Sequence, residues 1–403
     1  MSLNDAGFAY FSVIKCFLKA IVTKYEYKVA HKLQFCKLNT MFVKQTKYIF
    51  KMKEIFAERF KSARLMKGFS LQDLANAIDG KLSRQALHRY EKAEVLPDSD
   101  TIVLLSKALD VNPDFFFRST KVELGDIEYR KLSKMPKKTA SIIKEKTREY
   151  LSRYLELEEI LGLGVVFENP LKSFGVITSY DQVNEAANEL RKDWNLGNNA
   201  IFNVVELLED KNIKVVELDV DEDFDGLQTY VNGNIPVIAY NVRKTNKLDR
   251  IRLTLLHELA HLLLTFGDIS SKQKETLCYQ FAGAVLLPEK TLKAELGEHR
   301  NKLSIKELGN IKKQYGISMQ AIVMRARDCG IINEHYTKKF FFLINQMNWK
   351  VNEPTDYYGV ETSNRFEQLL FRALIEGQIS MSKAASLNNQ TLADFRKEYQ
   401  LAF

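Results

Sequence analysis

Two histidines four residues apart, His257 and His261, bracket a glutamate, Glu258, in the run IRLTLLHELAHLLLTFG. Four residues is about one turn of an α-helix, so both imidazoles leave the same face and can grip Zn2+ through ring nitrogen. Glu258 lies beside the first ligand but cannot share its direction. It points toward a water activated by the metal, where it can take a proton as that water attacks a peptide carbonyl and pass it to the leaving amine. The bare pattern is short and also arises by chance as a pair of surface histidines. Its flanks argue against that: Leu253, Leu255, Leu256, Leu259, Ala260, Leu262, Leu263 and Leu264 would bury this helix on nearly all sides. Burying two histidines and a carboxylate without a partner is expensive, and a metal removes the cost.

A catalytic zinc needs a third protein ligand and a position left for water. After Gly267-Asp268 comes a polar stretch, ISSKQK, and then a second helical run, ETLCYQFAGAVLLPE. A helix-loop-helix reversal can bring the Glu275 carboxylate back to the metal. Two alternatives stand beside it. Glu275 can be an acid at a helix start, favoured by the macrodipole. Cys278, one turn on, is a rival ligand, although residues 278–287 are otherwise core-like and favour a buried structural thiol.

Glu275, Phe281, Ala282, Leu286, Leu287 and Pro288, following HELAH, resemble the ImmA/IrrE family of metallopeptidases, whose signature reads E-x-x-A-N-x-F-A-x-x-L-L-x-P. The upstream IPVIAYN and DRIRLTLLHELAH resemble that family's strand-then-helix entry, and the likeness covers roughly residues 180–335. It implies a zincin-like fold, Zn2+ held by His257, His261 and Glu275, Glu258 as catalytic base, and cleavage of a repressor or antitoxin-like regulator. Cys278 and Tyr279 stand where the family usually has Ala and Asn or Asp. The Asn or Asp supports the ligands there, and Tyr279 departs from it.

Residues 54–117 read as five short helices. Phe56, Phe60, Ala63 and Leu65 line the first, and Gly68 ends it. Ser70 caps LQDLANAI, Asp79-Gly80 turns the chain, and Ser83 caps RQALHRYEKAE, with Ala86 and Tyr90 facing inward. Asp100 to Leu109 makes a fourth helix, and Asn112-Pro113 starts a fifth. Arg64, Ser70, Leu71, Leu74, Ala75, Ser83, Leu87, Tyr90, Glu91, Pro97, Leu104, Ala108, Leu109 and Val111 resemble the Cro/phage-repressor (XRE) helix-turn-helix. The resemblance implies that the third helix enters the major groove of double-stranded DNA. Ser83, Arg84, Gln85, His88, Arg89 and Lys92 are the candidate DNA contacts, with Lys92 reading as a phosphate contact. A helical bundle used for protein binding or dimerisation is the competing reading.

Net charge does not carry the DNA assignment. The chain of 403 residues has a formal charge of +8, but residues 1–51 hold nine lysines against Asp5 and Glu26, and the remaining 352 residues are close to neutral. The apolar run 8–22 is too short to span a membrane and is interrupted by Lys15 and Lys19. A signal peptide would need positive charge ahead of it, where only Asp5 is charged. The segment reads either as a basic membrane-surface arm or as the product of a start assigned upstream of Met52. The second is preferred, and no catalytic residue is expected before Met52. Cys16, Cys36, Cys278 and Cys329 are scattered with no CxxC pair. This excludes a disulfide framework and a cysteine zinc finger, and suits the cytoplasm with no membrane association.

The elements that must position the metal ligands are mostly helical. VNEAANELRKDWNL and FNVVELLEDKN are amphipathic helices; KVVELDV and PVIAYN are apolar, β-branched strands, with a turn at Asp225-Gly226. A small sheet beside the active helix offers an edge for an extended peptide. The fold class is α+β and mostly helical. Residues 1–51 are the basic extension, 54–118 the five-helix helix-turn-helix domain, and 119–170 a basic helical linker read as a solvated connector. Residues 175–335 form the zincin-like metallopeptidase domain, with Arg325 and Arg327 as candidates to face the substrate. Residues 336–403 form a helical C-terminal region that could be a lid, a partner site or a homodimer surface. Three functions compete: a DNA-binding zinc metallopeptidase, a DNA-binding regulator with a silent or structural metal site, and an antitoxin that binds a toxin. The intact Glu258 favours the first, because a structural site needs ligands but no base.

Overall fold

The computed structural model describes residues 50–119, 122–125, 135–164, 166–221, 224–244 and 246–401. The basic extension therefore lies outside the described residues except for its last two. The chain divides into two compact units: residues up to Lys61 with Leu71–Ala108 and Pro113–Ser119, and Ser62–Ser70 with Leu109–Asn112 and everything from Thr120 onward.

The helix-turn-helix region runs through α1 (residues 50–66), α2 (Leu71–Ala77), α3 (Arg84–Glu91) and α4 (Ser99–Leu109). The fifth helix of the sequence reading is a 3-10 turn, Pro113–Phe117. Aromatic packing holds this unit together. Phe56 and Phe60 stack at 5.8 Å, and Tyr90 of α3 meets both edge-on. The guanidinium of buried Arg59 lies 3.7 Å over the Phe115 ring and donates to the Phe115 carbonyl. Asp79 and Gly80 both take positive φ, 55° and 68°, which makes the sharp turn into α3. The inward anchor of α3 is Leu87, fully buried, while Ala86 and Tyr90 are only partly covered.

In the second unit, β2 (Lys214–Leu218), β3 (Gly226–Val231) and β4 (Ile235–Asn241) form a sheet in the order β2-β4-β3. β2 runs parallel to β4, and β3 antiparallel to it with Gly226 opposite Tyr240. Strand β1 (Val176–Ile177) pairs with β5 (Thr265–Phe266) in a separate two-stranded sheet. The three-stranded sheet is covered on both faces, which explains its near-continuous burial. Val215, Ile238 and Tyr240 pack in the main core with Leu255, Leu256 and Leu259 of α8 (Leu248–Leu263). Val216, Leu218, Leu227, Val231, Val237 and Ala239 pack against Ile143 and Leu151 of α5 (Lys137–Ile160).

That second layer corrects the reading of the linker as a solvated connector. Its helix α5 closes the back of the sheet, and Glu158 accepts a 2.6 Å bond from buried Lys214 of β2. Farther along, Tyr154 and Leu157 share a core with α14 (Arg365–Ile375), α15 (Met381–Leu387) and Phe395 of α16 (Leu392–Leu401). Even its cations are partly drawn in: Arg153 lies over the Tyr150 and Phe366 rings and donates to the Leu387 carbonyl, and Arg148 donates to the Val122 carbonyl.

The core that holds α8 also takes in α6 (Tyr180–Asp193), α7 (Val204–Asp210), α9 (Ser271–Leu286), α10 (Glu289–Leu296), α11 (Ile305–Tyr315), α12 (Met319–Asp328) and α13 (Glu334–Gln346). The stretch after α13 straps them together. Glu353 accepts from the backbone N–H groups of Met319 and Gln320 at the start of α12 and from Lys312 Nζ of α11, which also bonds Asp249 in the first turn of α8. Among the described residues no helix is long and apolar enough to cross a membrane.

Candidate metal centre

Helix α8 places His257 and His261 one turn apart, and α9 packs across it with Glu275 on the facing side. Nε2 of His257 lies 3.1 Å from Glu275 Oε2, Nε2 of His261 lies 3.5 Å from Oε1, and the two Nε2 atoms are 3.2 Å apart. Four donors about 2.0–2.2 Å from a tetrahedral zinc stand roughly 3.3–3.6 Å from one another. The two Nε2 atoms and the two carboxylate oxygens therefore stand near the separations expected of donors around such an ion, and the donor set suits zinc. Among the described residues these three form the one group of acids, cysteines and histidines that could hold a metal. Both imidazole side chains are almost wholly buried, while the Glu275 side chain is 45% exposed and leaves an opening to solvent. The two imidazoles that face it hold the Glu275 carboxyl well below the usual carboxylate range.

The structure brings together the metal residues named from sequence, but α9 begins earlier than the sequence reading has it. Ser270 caps it by accepting from Gln273 N, so Glu275 falls in the second turn rather than at the helix start. That removes most of the macrodipole alternative, which acts within the first turn. Cys278 is fully buried, and its sulfur sits 3.6 Å from His261 Nδ1, on the side of the ring away from the three converging donors. Tyr279 lies against His257, with ring centroids 4.1 Å apart. The buried Nδ1 of His257 has no hydrogen-bond partner among the described residues.

Glu258 is 1% exposed, and about 100° around the helix from His257. It packs against the first residue of β3: a Cβ on Gly226 would lie 3.2 Å from Glu258 Cγ and 2.8 Å from Thr254 Cγ2. Sequence reasoning takes Asp225-Gly226 as a turn and misses β3, the strand next to this side chain. Beside Tyr279 opens a cleft of about 600 Å³, with Leu253, Thr254, Ala321, Met324 and Phe341 among its walls. Arg325 does not reach out of it as a free cation. It is buried and donates to the Leu287 carbonyl, the Tyr180 hydroxyl and Asn184 Oδ1, a structural role. Arg327 pairs with Asp328.

On α3, Ser83 is the N-cap, its hydroxyl accepting from Ala86 N at 3.1 Å. Arg84, Gln85, His88, Arg89 and Lys92 are all exposed, as a groove-facing helix requires, and Arg89 pairs with Glu94 at 3.2 Å.

Fold and site together define a helix-turn-helix protein with a second, metallopeptidase-like domain. Comparison with known proteins gives the particular domains. Residues 208–327, which contain the whole His257–Glu275 constellation, match the family model of the IrrE N-terminal-like domain, a peptidase family. Residues 60–116 match the helix-turn-helix family model. The chain thus carries an IrrE-like domain and a helix-turn-helix domain. It is 40% identical over 67 residues to an uncharacterised HTH-type transcriptional regulator of Rickettsia prowazekii (strain Madrid E), covering 17% of this chain and 50% of the relative. It is 35% identical over 69 residues to an SPbeta prophage-derived uncharacterised HTH-type transcriptional regulator of Bacillus subtilis (strain 168), covering 17% and 62%. The chain spans about half to three-fifths of the length of the curated relatives it matches.

Proposed function

We propose that the chain is a DNA-binding zinc metallopeptidase of the cytoplasm that hydrolyses a peptide bond in a repressor or antitoxin-like regulator. The observation that carries this reading is the convergence of two imidazole nitrogens and a carboxylate at tetrahedral-edge distances, beside a buried glutamate that is not one of them. His257, His261 and Glu275 would hold Zn2+, which when bound lowers the pKa of a water toward neutrality and polarises a carbonyl.

The remaining chemistry belongs to the chain's own groups. Glu258 takes the proton of the attacking water and delivers it to the departing amine, so that one carboxylate serves as base and then as acid. Its packing against Gly226 fixes the carboxylate relative to the sheet edge on which an extended substrate lies. The partly exposed Glu275 and the cleft beside Tyr279 supply the route by which a chain reaches the site. Helix α3 would bring the same protein to double-stranded DNA. The names of the curated relatives favour a second reading, a transcriptional regulator whose metal site is silent.

Co-expression with a neighbouring regulator separates the two. The wild type is expected to contain one zinc per chain and to cleave the regulator, while Glu258→Gln keeps the zinc and loses cleavage. A wild type that binds operator DNA and zinc but never cleaves establishes the regulator reading instead.

A further inference from the structure

The two histidines are supported differently on their far sides. Helix α9 presents Glu275, Cys278 and Tyr279 at i, i+3 and i+4, one stripe of the helix directed at α8. Glu275 meets both Nε2 atoms, Tyr279 meets the ring of His257, and Cys278 meets Nδ1 of His261. His257 Nδ1 has no hydrogen-bond partner among the described residues. Of the two ligand rings, only that of His261 has its second nitrogen in a hydrogen bond recorded in the structure.

We propose that Cys278 is a positioning residue of the metal centre: its sulfur accepts a hydrogen bond from His261 Nδ1–H and so turns the Nε2 lone pair toward the metal. This rests on the zinc reading of the site. A neutral imidazole carries one proton, so a proton placed on Nδ1 leaves Nε2 as the donor atom. The opposite arrangement, with the thiol donating to Nδ1, would put the proton on Nε2 and block it. The Sγ–Nδ1 separation of 3.6 Å lies within the range of sulfur hydrogen bonds, and the thiol is fully buried, so water does not compete for the bond. Such partners of metal-bound histidines set both tautomer and ring orientation. Cys278 does this from one turn beyond the third ligand, which ties the orientation of His261 to the same helix that delivers Glu275.

The test compares wild type, Cys278→Ala and Cys278→Ser as full chains, after their thermal midpoints show that each folds. Zinc affinity, measured by competition with a chromophoric chelator, is expected to fall about 10- to 100-fold in Cys278→Ala. Cys278→Ser, whose hydroxyl can accept the same bond, should recover most of it. Nitrogen-15 NMR of the metal-free protein with labelled histidine provides a readout that needs no bound metal. His261 should favour the Nδ1–H tautomer in wild type and Cys278→Ser, and shift toward Nε2–H in Cys278→Ala, where the Glu275 carboxylate 3.5 Å from Nε2 is the remaining acceptor. Unchanged affinity and tautomer in Cys278→Ala overturn the proposal. A thiolate-to-metal charge-transfer band with Co2+ overturns it too, because Cys278 would then be a ligand. If the wild type binds neither zinc nor cobalt, the zinc reading fails, while the tautomer measurement still decides the role of Cys278.

Discussion

Arg252 and Glu361 form an ion pair with both side chains wholly buried, joining α8 to a segment more than a hundred residues further along the chain. Arg252 lies five residues before His257. Its guanidinium also donates to the Ile201 carbonyl at 2.7 Å and to the Tyr315 carbonyl at 3.3 Å. The second oxygen of Glu361 accepts from Val204 N at 2.8 Å, at the start of α7. One residue pair therefore sets the relative placement of α7, α8 and the end of α11. Residues 336–403 are in part a strap that braces the helix carrying His257 and His261. Burial pushes the Glu361 carboxyl up in pKa, with Arg252 and the N–H groups of Val204 and Val205 pulling it back.

Removing one partner of this pair leaves the other buried and unpaired, which typically costs about 3–5 kcal/mol. Glu361→Ala is expected to lower stability by that order in urea unfolding and to weaken zinc binding as α8 loosens. Replacing both partners with apolar residues, Arg252→Met with Glu361→Leu, should recover only part of the stability, because the Ile201 and Tyr315 carbonyls and the Val204 N–H lose their partners. A Glu361→Ala chain as stable as wild type would remove the strap from the account of the site.

Gly226 makes a sharper prediction, because it touches the proposed base. A Cβ there would meet Thr254 Cγ2 at 2.8 Å, Ala239 O at 3.2 Å and Glu258 Cγ at 3.2 Å. The carbonyl is fixed in the sheet, so the adjustment falls on α8. Gly226→Val should displace Glu258 by a fraction of an ångström to an ångström while leaving His257, His261 and Glu275 able to bind. Misplacement of that size can cost about 100-fold in turnover. The expected result is kcat reduced by that order with zinc content unchanged. Equal kcat in both proteins would show that Glu258 does not depend on this contact.

The candidate ligands are legible in the sequence because their signal is local: helical spacing on α8, and a polar stretch followed by an apolar helix in which Glu275 is the first acid. The start of α9 is misread for a similarly local reason. The polar run Ser270–Lys274 looks like a loop, yet Ser270 followed three residues later by Gln273 is a helix-start signal, and the structure uses it. Strand β3 is hidden by Gln228 and Thr229, polar residues that are nevertheless buried, although Asn232-Gly233, both with positive φ, marks its hairpin to β4. Helix α5 reads as solvated because charge dominates its composition, whereas Ile143, Leu151, Tyr154 and Leu157 cover a sheet and a helix pair contributed by distant sequence. The pairing of Glu353 with Lys312 and of Glu361 with Arg252 has no local signal at all, since each partner satisfies only a residue far away in the chain.

The exposed face of α3 yields a prediction that separates base reading from phosphate anchoring. Arg84 and Gln85 stand in its first turn, next to the Ser83 cap, while Lys92 is the residue just after its end. In a helix that enters the major groove, the N-terminal residues reach base edges and peripheral lysines meet the backbone. With DNA selected from random sequence by the intact protein, Gln85→Ala is expected to cost about 1–3 kcal/mol and to relax preference at one base pair. Lys92→Ala should weaken binding to all sequences alike and reduce the slope of log affinity against log salt by about 1. Arg89 should fall between these, because its pairing with Glu94 at 3.2 Å already holds the side chain to the protein surface. Selection that returns no preferred sequence, with Gln85→Ala and Lys92→Ala both silent, would assign α3 to protein contacts instead and leave the metal centre as the chain's defining site.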